Sequence, residues 1–262
     1  MSQVVGSFQL EVGDAGVAVV TFSRPPVNAV SLSVYEDLGR LVDLIEREPR
    51  VRVVVLTAPV QARAWCGGAD LNDFVGMESV RRRERYAFIN AQVPRFFRLD
   101  RPVIAAINAS AIGIGMILAG LCDMRIAAED ARFACPEIDF GLVGGGAGLF
   151  GMLKMPEAKI REMLFTGRRF TARELEPTGF FNYVVARDQV MPTAMDLAYL
   201  IAKKSLPAIR ARKRASVALE GLTWMEAYLD AQGLSADLVA KADSGEGVNA
   251  FLEHRDPRLI DD

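Results

Sequence analysis

The chain has 262 residues, enough for one large domain or a domain with a small appendage. Hydrophobic residues make up 51% and charged residues 24%, an ordinary globular balance, and a net charge of −2 supplies no basic field to recruit nucleic acid. One histidine and three cysteines without CxxC spacing argue against a metal site and for a reduced, cytoplasmic setting, and the first ten residues lack the pattern of a secretory signal.

In chain order, VGSFQLEVGDAGVAVVTFSRPP predicts two strands around a turn at Gly13–Gly16. AVSLSVYEDLGRLVDLIERE has apolar residues at helical spacing, with Ser31 or Ser33 as N-cap. VRVVVLTA is short, β-branched and nearly all apolar, as a buried strand should be. ARAWCGGADLNDF then makes a glycine-containing turn, and ESVRRRERYAFINAQVPRFFRL a charged, then amphipathic helix. RPVIAAIN is a second buried strand, followed by a helix in AIGIGMILAGLCD. Pro102–Cys122 is about as long as a bilayer span, but Asn108, Ser110 and the interrupting glycines favour strand, turn and helix. MRIAAEDARFACPEIDFGLVGGGAG predicts strand, turn, strand and glycine-rich loop. Helices dominate from Pro156 onward, with PAIRARKRASVALEG and WMEAYLDAQGLSADLVAKA read as two of them. The expected division is an α/β body over residues 1–195 and a helical region over 196–262.

Several motifs carry little chemistry. Gly146–Gly151 spells GxGxxG, yet it lies far from the first βα turn, so close backbone packing explains it better than a dinucleotide. No GxxxxGK[ST] occurs, and His254 is the only histidine, which leaves triad chemistry without a base. Arg81–Arg85 is either a solvated helix face or an attractor for a phosphorylated ligand.

Two backbone features are more suggestive. Cys66-Gly67-Gly68-Ala69-Asp70 is a small-residue turn after a buried strand and a short loop. Gly113-Ile114-Gly115 opens a helix after a second strand. Small residues admit close approach to the backbone, and helix N-termini present unpaired N–H groups. Two such donors facing one pocket would make an oxyanion hole; packing glycines are the plainer alternative. Glu137 sits among apolar segments just after Pro136, where a carboxyl has its pKa raised and suits acid–base work, unless it pairs with an arginine at a rim. Asp139 shares its face if the backbone is extended.

Together these segments resemble the crotonase superfamily, the enoyl-CoA hydratase/isomerase fold. The resemblance spans nearly the whole chain through SRPPVNAVS, RAWCGGADL, the long stretch RPVIAAINASAIGIGMILAGLCDMRIAAEDARFACPEIDFGLVGGGAG, EMLFTGRRFTARE and GFFNYVV. It implies a crotonase (ClpP-like) α/β fold, a repeated ββα superhelix with a C-terminal helical trimerisation region. It also implies N–H donors at Ala69 and Ile114 for the thioester oxygen of an acyl-CoA, and Glu137 as acid and base. No cofactor beyond the coenzyme A of the substrate is expected, nor a metal, nucleic acid or membrane partner. The resemblance places the substrate along Arg24, Val27, Ala29, Cys66, Gly67, Gly68, Asp70, Leu71, Gly113, Ile117, Pro136 and Gly145. Phe251 and His254 match positions that touch the CoA of a neighbouring subunit in a homotrimer or homohexamer, and His254 would make that contact pH-dependent.

The departures are informative. Ile117 stands where hydratases carry a first catalytic glutamate, which favours double-bond isomerisation or atypical hydration, with Asp139 as a possible substitute acid. A non-catalytic acyl-CoA-binding protein is the alternative. Ile114 and Ala109 replace common glycines, Gly144 a common proline, and Asn72 a lysine that meets CoA phosphate. Phe74, Met77, Phe88, Phe96, Phe97, Met116 and Ile117 are candidates for an apolar pocket or for plain core.

Overall fold

The structure is a computed structural model and describes residues 2–143, 155–238, 242–256 and 258. Its largest sheet has seven strands in the order β1 (Ser2–Val5), β2 (Phe8–Val12), β3 (Val17–Phe22), β4 (Val53–Thr57), β6 (Val103–Ile107), β8 (Met124–Ala128), β11 (Tyr183–Val185). β1, β2 and β3 pair antiparallel; from β3 to β11 all pairings are parallel. A second sheet runs β10 (Phe170–Thr171), β9 (Arg132–Ala134), β7 (Ser110–Ile112), β5 (Ala64–Cys66).

This division makes the repeat visible. Three times, one strand joins the large sheet and its successor the small one: β4 then β5, β6 then β7, β8 then β9. The strand composition follows from that placement. β4 and β6 are buried along their whole length and read as continuous apolar runs, as strands covered on both faces must. β2, near the edge, alternates buried Phe8, Leu10 and Val12 with exposed Gln9 and Glu11. Each apolar side chain so buried contributes roughly 1.5–3 kcal/mol.

Helices cover the sheets. α1 (Leu32–Arg47) buries Val34, Leu38, Leu41, Val42 and Ile45, a stripe at helical period. Ser31 occupies its N-cap position without a side-chain cap bond; the Leu32 N–H donates instead to Asp73 Oδ2 at 3.1 Å. α2 (Ser79–Phe97) packs on α1, and α3 (Ile114–Leu121) is apolar all round and buried from Gly115 on. Pro102–Cys122 therefore folds as β6, β7 and α3. Among the described residues no helix is long and apolar enough to cross a membrane. α4 (Glu157–Thr166) and the short α5 (Ala172–Leu175) lead to β11. α6 (Val190–Ala202) spans residue 195 and packs on β4 and β6.

Three local expectations need correction. A strand at Ser2–Val5 precedes the expected hairpin; with Ser2 and Gln3 polar and no residue fully buried, its pattern is weak. The two helices expected after Ser205 are one, α7 (Leu206–Leu238), because Gly221 lowers helix propensity by about 1 kcal/mol without stopping a long helix. PEIDF is a 3-10 helix (Pro136–Phe140), so Glu137 and Asp139 do not share a strand face. The last helix is α8 (Ala242–Leu252), which packs on that 3-10 helix.

Candidate active site

Two strand exits of the small sheet converge. β5 ends at Cys66, and the chain turns through Gly67–Asp70. There the Val30 N–H donates to the Gly68 carbonyl at 2.8 Å and the Asp70 N–H to the Val30 carbonyl at 3.0 Å, so both neighbours of Ala69 are pinned by bonds that leave out its own N–H. β7 ends at Ile112, and Gly113, with φ +54°, swings the chain into α3 so that Ile114 is its first residue. That helical turn has N–H groups without intrahelical acceptors. The Gly113 N–H donates to the Ala134 carbonyl at 2.8 Å, which ties the helix start to the strand that leads to Glu137.

Gly68, Ala69, Gly113, Ile114 and Glu137 line one cavity of about 470 Å³, a volume suited to a small-molecule site. Gly113 is required twice over. Its φ is left-handed, and a Cβ there would lie 2.9 Å from Glu137 Oε1. Glu137 Oε2 is buried and has no hydrogen-bond partner among the described residues. Burial pushes the Glu137 carboxyl up to about 7; a hydrogen bond from its own backbone N–H opposes the rise and the Asp139 charge adds to it. Asp139 also lines the cavity, with its own carboxyl raised by burial against the pull of Arg169. Burial raises the Asp70 carboxyl too, but hydrogen bonds from Arg24 and Asn72 outweigh it, and the net shift is downward. The wall thus offers backbone donors beside a carboxyl that titrates near neutrality, the elements of enolate chemistry.

The enoyl-CoA hydratase/isomerase family model matches residues 13–261. The chain belongs to this family. It is 33% identical over 242 residues to an enoyl-CoA hydratase/isomerase of Bacillus subtilis, covering 91% of this chain and 92% of that one. It is 29% identical to the 2,3-dehydroadipyl-CoA hydratase of Escherichia coli over 247 residues, 92% of this chain and 94% of that one. An enoyl-CoA hydratase structure from Mycobacterium smegmatis superposes with a TM-score of 0.76 at 29% identity, covering 96% of this chain and 98% of that one. The fold is the crotonase fold.

Within this family framework, Val27, Ala29, Gly67, Gly68, Ala69, Asp70, Leu71, Gly113, Ile114, Ile117, Pro136, Glu137 and Phe251 all line the cavity. Arg24 stands apart from the lining: its guanidinium donates to the Ala29 carbonyl at 2.9 Å and to Asp70 Oδ2 at 2.8 Å, bracing the turn that carries Ala69. Cys66 is fully buried behind Gly115, and His254 is exposed past the end of α8. Phe251 meets Phe140 edge-on, 5.3 Å between centroids, on the cavity of its own chain. Gly145 and the GxGxxG run at 146–151 lie outside the described residues. Of the apolar candidates, Phe74 and Ile117 reach the cavity, whereas Phe96, Phe97 and Met116 are core.

Sequence reasoning missed Tyr35, Tyr86, Ile89 and Gln232, which also line the wall, as do Arg82 and Arg85 from the basic run it had left between a solvated face and a phosphate attractor. The signal for four of them was present. Positions 82, 85, 86 and 89 follow the spacing of one helix face, so the basic run splits into inward and outward arginines.

Proposed function

We propose that the protein acts on an acyl-CoA thioester through an enolate. The Ala69 and Ile114 N–H groups hold the thioester oxygen, and Glu137 moves the proton. Polarising the carbonyl makes the C2 hydrogen acidic, and fixed backbone dipoles stabilise the negative charge that develops on oxygen. Glu137 starts ionised, takes a proton from C2 of a 3-enoyl thioester and returns it at C4, which moves the double bond into conjugation. In the hydration direction it takes a proton from water that attacks C3 of a 2-enoyl thioester and delivers it to C2. The single observation that carries this reading is Glu137 Oε2, buried and without a hydrogen-bond partner among the described residues, in a carboxyl that lines one cavity with Ala69 and Ile114.

The family's hydratases, including the 2,3-dehydroadipyl-CoA hydratase, favour hydration for this chain. Ile117 at the first acid position favours isomerisation, because one carboxylate suffices for a 1,3-proton shift. The helical region over 196–262 serves self-association in this reading, supported by Tyr199 and Leu200, exposed on the part of α6 that lies within it.

Mixing the protein with a 2-enoyl-CoA and, separately, a 3-enoyl-CoA tests it by ultraviolet absorbance of the conjugated thioester. Loss with the first is hydration; gain with the second is isomerisation. Binding of both thioesters without either change means a non-catalytic acyl-CoA-binding protein and overturns the enzymatic reading.

A further inference from the structure

We infer that the acyl part of the substrate ends in a carboxylate and that Arg82, Arg85 and Gln232 receive it. This rests on the acyl-CoA reading and names the substrate class of the same site.

The basic run Arg81-Arg82-Arg83-Glu84-Arg85 does not behave as one solvated face. Arg81 and Arg83 point outward, and Arg83 pairs with Asp237 on α7. Arg82 and Arg85 point inward, only 3% and 7% exposed, and line the cavity with Tyr86 and Ile89. Their guanidinium groups lie 4.3 and 5.0 Å from the centroid of the Phe74 ring. Tyr86 Oη accepts from Arg82 Nε at 3.2 Å and Nη2 at 3.0 Å, which fixes the plane of that guanidinium. Arg85 donates to Asp73 Oδ2 at 2.8 Å, and Asp73 is itself anchored by the Leu32 N–H.

Opposite α2, the long helix α7 supplies Gln232, 3% exposed and also on the cavity. Its Oε1 is buried and has no hydrogen-bond partner among the described residues. Asp73 offsets the charge of Arg85, and the two buried arginines one helical turn apart still make this wall rich in hydrogen-bond donors, which burial makes costly to leave beside apolar groups. A plain alkyl chain lying against this wall would leave guanidinium and amide edges desolvated beside methylenes, which is costly. A carboxylate relieves that cost. It can take paired N–H donors from a guanidinium, and a rotated Gln232 amide offers it a third. Ile89, Ile117 and Leu142 remain for the intervening methylenes. A site built this way rejects the uncharged analogue more strongly than apolar packing could.

Calorimetric titration with adipoyl-CoA, hexanoyl-CoA and CoA alone tests the inference. These probes share the CoA and, for the two thioesters, the carbon count. The wild-type protein should bind adipoyl-CoA about ten- to a hundredfold more tightly than hexanoyl-CoA, the effect of one or two charge-assisted hydrogen bonds. Arg82→Gln should reduce that ratio about tenfold, as should Gln232→Leu to a lesser degree, and either variant suffices if the other fails to fold. A wild-type ratio of one or less overturns the inference. So does a ratio that survives both substitutions, or an Arg82→Gln variant that weakens CoA, hexanoyl-CoA and adipoyl-CoA alike, since the arginine would then serve the CoA. Tight hexanoyl-CoA binding without discrimination refutes this inference alone. Failure of both thioesters to bind refutes the acyl-CoA reading as well.

Discussion

At the scale of single residues, the role proposed for Glu137 couples activity to stability. Its folded-state carboxyl sits at about 7 against an ordinary 4.5, mainly through burial, so the folded protein keeps a proton that the unfolded chain has released. Its contribution to stability is full below pH 4.5 and is lost as pH rises toward 7. Turnover runs the other way: a base must be ionised, so kcat/KM should rise with pH through about 7. Glu137→Gln should abolish that rise and lower kcat about 100-fold or more while retaining thioester binding. The same variant should be more stable than wild type at pH 8, by about 2 kcal/mol in urea unfolding, since it removes a buried charge. A variant that loses both turnover and stability at pH 8 would place Glu137 among structural residues. Asp139→Asn should move the kcat/KM profile to lower pH, because the Asp139 charge raises Glu137.

At the scale of elements, the site depends on how closely α3 approaches β5. A Cβ on Gly115 would lie 2.6 Å from the Cys66 carbonyl oxygen, a backbone atom that cannot turn aside. Gly115→Ala should therefore destabilise by about 1–3 kcal/mol, read by thermal unfolding, and lower turnover by shifting Ile114 relative to Ala69. The long helix α7 is fastened by Lys213 Nζ, 2.7 Å from both carboxylate oxygens of Asp123, which also accepts the Val103 N–H at 2.7 Å. Lys213 is 5% exposed, so Asp123→Ala should cost about 3 kcal/mol by leaving a buried cation unpaired. Much of this architecture was legible in the sequence. Apolar runs marked β4 and β6 because both faces of those strands are covered, and glycine pairs marked the two strand exits because close approach needs them. The 3-10 turn at PEIDF was not legible, since Glu137–Asp139 alternation fits a strand equally well. Nor was the inward face of α2: charge alone does not say which arginines a tertiary neighbour will cover, and Gln232 lies far away in the chain.

At the scale of the whole molecule, the repeated strand pair gives the proposed chemistry its setting. Each repeat hands its second strand to the small sheet, and the exits of β5 and β7 put Ala69 and Ile114 on one cavity while β9 leads to Glu137. The C-terminal helices close that cavity through Gln232, Phe251 and Leu252. Sedimentation should give a mass of three or six times 28.6 kDa, and a monomer would remove the self-association reading. The most direct test of the central claim is deuterium exchange at C2 of a saturated thioester, followed by proton NMR in D2O with butyryl-CoA and adipoyl-CoA. It detects the enolate without presuming hydration or isomerisation. Wild-type protein should exchange the C2 hydrogens of at least one thioester, and Glu137→Gln should not; no exchange by wild type, or equal exchange by the variant, would contradict the account.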